Sequence, residues 1–116
     1  MPPFERLAGE AFAYLTTTGR RTGKPHTIEI WFSIEAGVLY MLAGGGEQAD
    51  WVKNIRTRPD VRVRVGSRTV RARARVLAPG TPEDSRAREL LDGKYMGWRE
   101  RMSSWARSAL AVAIDL

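Results

Sequence analysis

The chain has no cysteine and one histidine, His26. Disulfides, thiolate catalysis and iron–sulfur ligation are therefore excluded. A zinc site on His26 would need carboxylates for its remaining ligands, which argues against one. No apolar run approaches the roughly 18 residues needed to cross a bilayer, so no integral membrane segment is expected. The opening Met-Pro-Pro-Phe-Glu-Arg lacks the basic and apolar regions of a secretory signal, and a cytoplasmic location is the expectation. Repeats, linkers and low-complexity tracts are missing too. The expected organisation is a single domain over residues 1–116, with 43% hydrophobic residues to build its core.

Acidic residues are also scarce. Thirteen Asp and Glu face nineteen Lys and Arg, for a net charge of +6. Sixteen of the nineteen are arginine, whose planar fork suits phosphate and carboxylate. Solvation accounts for many of these charges, but the overall field favours an anionic ligand.

Periodicity maps most of the chain. Residues 12–18 alternate as a strand, and Gly19 to Lys24 form a turn or long hairpin loop. His26 to Ile34 reads as one strand, with Ile28, Ile30, Phe32 and Ile34 on one side and Thr27, Glu29, Trp31 and Ser33 on the other. After the turn Glu35-Ala36-Gly37, Val38 to Ala43 gives another strand, and these three predict an antiparallel meander. Asp50 can cap a helix that ends before Pro59. Gly66-Ser67 joins strands 61–65 and 68–77 in a two-residue hairpin. That register sets Val63 opposite Val70, Val61 opposite Ala72 and Arg62 opposite Arg71, with Arg64, Arg73 and Arg75 on the arginine face. Facing like charges are destabilising unless carboxylates, a partner subunit, a bound anion or water relieve them.

Thr81-Pro82-Glu83-Asp84 starts a second helix, which Gly93 stops or bends. Trp98, Met102 and Trp105 predict one face of a further helical piece. Leu110, Val112, Ile114 and Leu116 alternate in a last strand that closes the sheet. Six strands with short helices predict a mainly β (α+β) fold, a small and mostly antiparallel barrel.

Three chemistries compete for this frame. "LTTTGRRTGKPHT" at 15–27 offers hydroxyls, glycine-exposed amides and arginine forks, the groups that hold phosphate or carboxylate oxygens. A hydrolytic triad on His26 and Glu29 fails, because their odd spacing points them to opposite faces of one strand. An arginine-rich sheet with tryptophans could grip single-stranded nucleic acid, but no aromatics interleave with the arginines at 62–75, and no nucleic-acid partner is expected.

"LTTTGRRTGKPH", "YMLAGGGE" and "DWVKNIRTRPDVRVRVG" together resemble the deazaflavin-dependent nitroreductase family, in consistent order over about residues 12–77. The resemblance implies a split β-barrel like that of flavin-mononucleotide-binding oxidases. It also implies coenzyme F-420, a deazaflavin with a phosphate and several glutamates in its tail, with FMN as the alternative ligand. By matching position, Arg20, Arg21 and Thr22 would hold the phosphate and tail, and His26 stands where the family often has arginine. Ala43, Gly44 and Gly45 would pass beside the deazaflavin ring, with Trp51 and Asn54 next to it on the helix. Two departures are Glu29, in place of a common proline, and Gly45, in place of an occasional lysine. The implied activity is hydride transfer from the reduced coenzyme to a small electrophilic acceptor: a quinone, a nitro compound or an activated alkene. No catalytic side chain is assigned, Tyr95, Trp98 and Trp105 are candidate walls for the acceptor, and a homodimer is expected.

Overall fold

The computed structural model describes residues 6–97 and 101–116, and its strands follow one another as antiparallel neighbours in a single curled sheet. In chain order these are β1 (Ala13–Thr18), β2 (Pro25–Ile30), β3 (Ser33–Glu35), β4 (Val38–Ala43), β5 (Asp60–Val65), β6 (Arg68–Val76) and β7 (Leu110–Asp115). Helix α1 (Asp50–Thr57) precedes β5, while α2 (Pro82–Met96) and α3 (Ser104–Ser108) lie between β6 and β7. The order across the sheet is β2-β1-β5-β6-β7-β4-β3. The two edge strands, β2 and β3, are thus separated by only Trp31 and Phe32. A seven-stranded sheet whose edges are joined by two residues has to roll up, and the result is a split barrel.

That topology corrects two expectations. The segment 26–34 is two strands rather than one, and the meander does not form, because β2 pairs with β1 while β3 pairs with β4 at the far edge. The break has a local cause. The Tyr95 hydroxyl accepts the Phe32 N–H at 3.0 Å and donates to Ala11 O at 2.8 Å, with Phe32 O also 3.0 Å away. Lys94 Nζ donates to Glu10 O and Phe32 O at 2.8 and 2.9 Å, and sits 3.7 Å from the centre of the Phe32 ring. Side chains from α2 satisfy the backbone that a neighbouring strand would otherwise bond, so the ladder stops there.

The β5–β6 hairpin forms in the expected register, with Arg62 opposite Arg71, and Gly66 takes the positive φ (58°) that its turn needs. Val61, Val63 and Val65 are buried between exposed Asp60, Arg62 and Arg64. They join Leu15, Phe32, Leu39, Met41, Val112 and Ile114 in the barrel interior. A second core lies outside the β4–β7 half, where Tyr40, Leu42, Ala111 and Ala113 meet Leu77, Ala87, Leu91 and Ala106. Strand β7 runs between β6 and β4 and is buried on both faces, so small alanines stand where the helices press.

Thr81 caps α2 as expected, its hydroxyl accepting the Asp84 N–H at 3.2 Å. Gly93 does not stop this helix, which runs on to Met96 and ends at Gly97. Asp50 does not cap α1: Ala49 occupies the cap, and the carboxylate turns to Arg20 instead. Met102 precedes α3 rather than sharing its face with Trp105, and Trp98 lies outside the described residues. No helix among the described residues is long and apolar enough to cross a membrane.

Arg75 joins the helical half to the sheet. Its guanidinium binds Glu83 bidentately at 2.9 Å and Asp115 at 2.6 and 2.9 Å. The Tyr40 hydroxyl donates to Glu83 at 2.8 Å, and burial, with the Glu83 carboxylate, pushes Tyr40 up to about 12. Arg75 and then Tyr40 pull the Glu83 carboxyl down to about 2. A lowered acid stabilises the fold above its unfolded pKa of about 4.3, and that contribution is lost as pH falls toward 2. Melting temperature should therefore drop between pH 5 and pH 2. In Glu83→Gln it should be lower at neutral pH and should respond less to acid, as thermal melts across that range will show.

Candidate functional site

Loop 19–24 folds back on itself, with Gly19 N donating to Lys24 O at 2.8 Å and Gly23 N to Gly19 O at 2.9 Å. A Cβ on Gly19 would stand 2.9 Å from both His26 Nε2 and Thr22 Oγ1, so a larger residue there would have to displace both side chains. The loop is then fixed to α1 through Asn54, which is 4% exposed. Asn54 Oδ1 accepts from Arg20 N at 3.2 Å and Arg20 Nη1 at 2.8 Å, while its Nδ2 donates to buried Thr17 at 3.1 Å. Arg20 Nη2 also reaches Asp50 Oδ1 at 3.3 Å. Strand, loop and helix thus meet at one amide.

Between these elements lies an open cleft of about 580 Å³. This is a size typical of small-molecule and cofactor sites. Arg20, Arg21, Thr22, His26, Trp51 and Asn54 all line it. Arg21 is exposed and makes no ion pair with any described residue. Glu29 is on the opposite face of β2 from His26, and its carboxylate accepts the Tyr14 hydroxyl at 2.8 Å. It therefore turns away from the cleft.

Ala43, Gly44 and Gly45 do not line the cleft. Ala43 ends β4, and Gly44 and Gly45 follow it; a Cβ on Gly44 would meet nothing within 4 Å, so the backbone there is open to approach. The adjoining Leu42 borders a smaller hollow of about 250 Å³, with Phe12, Glu29, Ile30, Trp31 and Trp105, so the carboxylate that turns from the cleft stands at this hollow instead. Cleft and hollow meet β2 at Ile28 and Ile30 respectively. Trp31 stacks on Tyr95 with ring centres 4.3 Å apart and planes 2° from parallel, and meets Trp105 edge-on at 5.3 Å. Trp105 therefore lines the hollow, while Tyr95 backs it and has its hydroxyl committed to the backbone.

Sequence reasoning missed Thr17, Asp50 and Trp31. The alternation of 12–18 carried a signal for Thr17, because it shares a face with Ala13 and Leu15. Trp31 carried none, since its role follows from the strand break.

The cleft brings the Arg20 and Arg21 guanidiniums, the Thr22 hydroxyl and the His26 imidazole together with the Trp51 indole and the Asp50 carboxylate. No group of three or more His, Asp or Glu among the described residues could hold a metal. Residues 4–116 match the family described as F420H(2)-dependent quinone reductase. The chain belongs to this family. The reductase is accordingly an oxidoreductase whose cofactor is coenzyme F-420. Its fold is that of an F420-H2 dependent reductase at 21% identity and a TM-score of 0.70, with 90% of this chain and 93% of that one covered. An F420 reductase aligns at 20% identity and 0.65, covering 99% and 94%. A structure described as a domain-swapped dimer aligns at 24% and 0.72, covering 90% and 79%. No curated protein is significantly similar to the reductase.

The two cleft arginines should behave differently when replaced. Arg20→Ala removes a fork that ties the loop to α1, so it should lower stability as well as ligand affinity. Arg21→Ala should weaken affinity alone. Asn54→Leu strands the Arg20 amide and the Thr17 hydroxyl, costing about 1–3 kcal/mol for each group left unsatisfied. Thermal melts and coenzyme titrations on the three variants will separate these effects.

Proposed function

We propose that the cleft holds coenzyme F-420 by its anionic tail, and that the enzyme passes reducing equivalents to a small electrophilic acceptor, with quinones the leading class. The observation that carries this reading is the convergence of Arg20, Arg21 and Thr22 on one cleft with Trp51 and Asn54. When bound, the coenzyme supplies the hydride. Arg21 and the Thr22 hydroxyl bind tail oxygens through charge-assisted bonds. Arg20, already held by Asn54, presents its charge from a fixed position. His26 stands beside Gly19 and Thr22 and adds its imidazole to the same side of the cleft. Gly44 and Gly45, exposed just beyond the buried Ala43, leave room for the ring edge. The hollow bounded by Phe12, Trp31, Leu42 and Trp105, with Glu29 at its wall, takes the acceptor against its aromatic side. In this reading the protein binds and orients, and the proton that completes reduction of the acceptor comes from solvent at the open hollow.

The same surface supports a homodimer. Phe12 is 42% exposed beside the aromatic hollow, and a second copy covering it would enclose the acceptor. Pairing through the arginine face instead would stack like charges. A stable interface of this kind buries at least about 1,000 Å².

Added F-420 should show a shifted absorbance or fluorescence with the purified protein, and FMN should not. Under reduced F-420, quinones should be turned over, and Trp105→Ala should raise KM for the quinone more than for the coenzyme. An FMN response without an F-420 response would refute the assignment. Light scattering at micromolar protein should give a mass near twice 13.0 kDa; a monomer mass would rule out the dimer.

A further inference from the structure

Helix α2 packs against β3, β4 and β7 and α1 against β1 and β6, while the outward side chains of β5 and of the first part of β6 stay exposed. Five arginines of the hairpin point outward there, and their neutralisation is uneven. Arg75 is held by Glu83 and Asp115. Arg64 lies 4.2 Å over the Tyr14 ring and donates to Gly66 O at 2.9 Å. Arg73 sits in register between Asp60 on β5 and Asp115 on β7. Arg62 and Arg71 face each other directly, and neither has an ion-pair partner among the described residues. Both line a groove of about 800 Å³ with Thr16, Thr18, Pro25, Asp60 and Arg73. Three guanidiniums against one carboxylate leave this groove at a net charge of +2.

We infer that this groove is a second anion site, on the opposite face of the sheet from the coenzyme cleft, taking a phosphoryl or polycarboxylate group with at least two negative charges. A monovalent anion would leave the Arg62–Arg71 repulsion half relieved; a divalent one bridging both forks converts it to attraction. The Thr16 hydroxyl, 2.7 Å from that of Thr27 in the next strand, stands beside Arg62 in the β1–β5 register. Thr18 ends the same outward row. Asp60 opposes anion entry at one end and places the favourable field nearer Arg62 and Arg71. Pro25 borders both this groove and the coenzyme cleft, so one extended anion could reach both. The anion is then either free or the outer end of a chain seated in the cleft, an option that rests on the proposed coenzyme site.

Inorganic pyrophosphate is the probe, measured by calorimetry at low salt on wild type, Arg62→Gln/Arg71→Gln and the cleft variant Arg21→Ala. Binding should survive in the cleft variant and weaken roughly tenfold or more in the double variant. That variant should melt no lower than wild type, because it loses a repulsion; this result separates lost binding from lost folding. Undiminished binding in the double variant, or no binding by wild type, overturns the proposal. Saturating F-420 then identifies the source. If it blocks pyrophosphate in wild type, the groove receives the coenzyme's own chain. If pyrophosphate still binds, or if F-420 itself fails to bind, the site serves a free anion. Either result supports the groove, and the last would count only against the coenzyme reading.

Discussion

The two-residue joint at Trp31-Phe32 sets the shape of everything around it. A strand of nine residues would have extended one edge of the sheet. Interrupted, the same residues supply both edges and oblige the strands between them to curl. The interruption is held from outside the strand. Tyr95 and Lys94, adjacent on α2, take the Phe32 backbone and the segment at Glu10 and Ala11 together. Burial raises the Tyr95 hydroxyl above its ordinary range, so it remains protonated and able to donate. Once the sheet curls, the inward face of β2 confronts α1, and His26 and Ile28 become a wall rather than a surface.

Charge follows the same division. On the helical half, three arginines find carboxylates: Arg75 with Glu83, Arg86 with Glu35, and Arg88 with buried Asp84. Arg88 also donates to Ala106 O at 2.8 Å, closing the gap between α2 and α3. The pair is buried, so removing one partner would strand a charge, and its value is in fixing the helix positions. On the bare half, hydroxyls and arginines alternate with few acids. Arg62, Arg64, Arg71 and Arg73 thus leave positive charge exposed on the outward face of β5 and β6.

Local chemistry was legible in the sequence wherever it was self-contained. The Gly66-Ser67 turn and the valine alternation fixed the hairpin register down to the Arg62–Arg71 pair. Thr81 and Pro82 marked the start of α2. The family motifs carried the split barrel and its coenzyme. Failures came where a distant residue decided the outcome. Alternation continues through Trp31 and Phe32, and only Tyr95, sixty-three residues on from Phe32, breaks it. Asp50 has the chemistry of a cap, but an arginine thirty residues earlier claims its carboxylate. Gly93 has the conformational freedom to end a helix, yet α2 continues through Lys94 and Tyr95, whose side chains are bonded to the backbone of Glu10, Ala11 and Phe32.

The two loop arginines looked equivalent in the sequence, and the structure gives them different surroundings that bear on the proposed anion binding. A hairpin tip with two free arginines would lose side-chain and backbone freedom on meeting an anion, and that loss would offset much of the attraction. Here Asn54 fixes the loop beforehand through Arg20, with its own second bond on buried Thr17. Arg20 gives up part of its fork and in return holds the backbone in place. Arg21 then stands on a prepared support with its charge unshared. The division of labour requires a short amide at position 54. Aspartate there would pair with Arg20 outright and could not also donate to Thr17, and glutamine would push the loop off the helix.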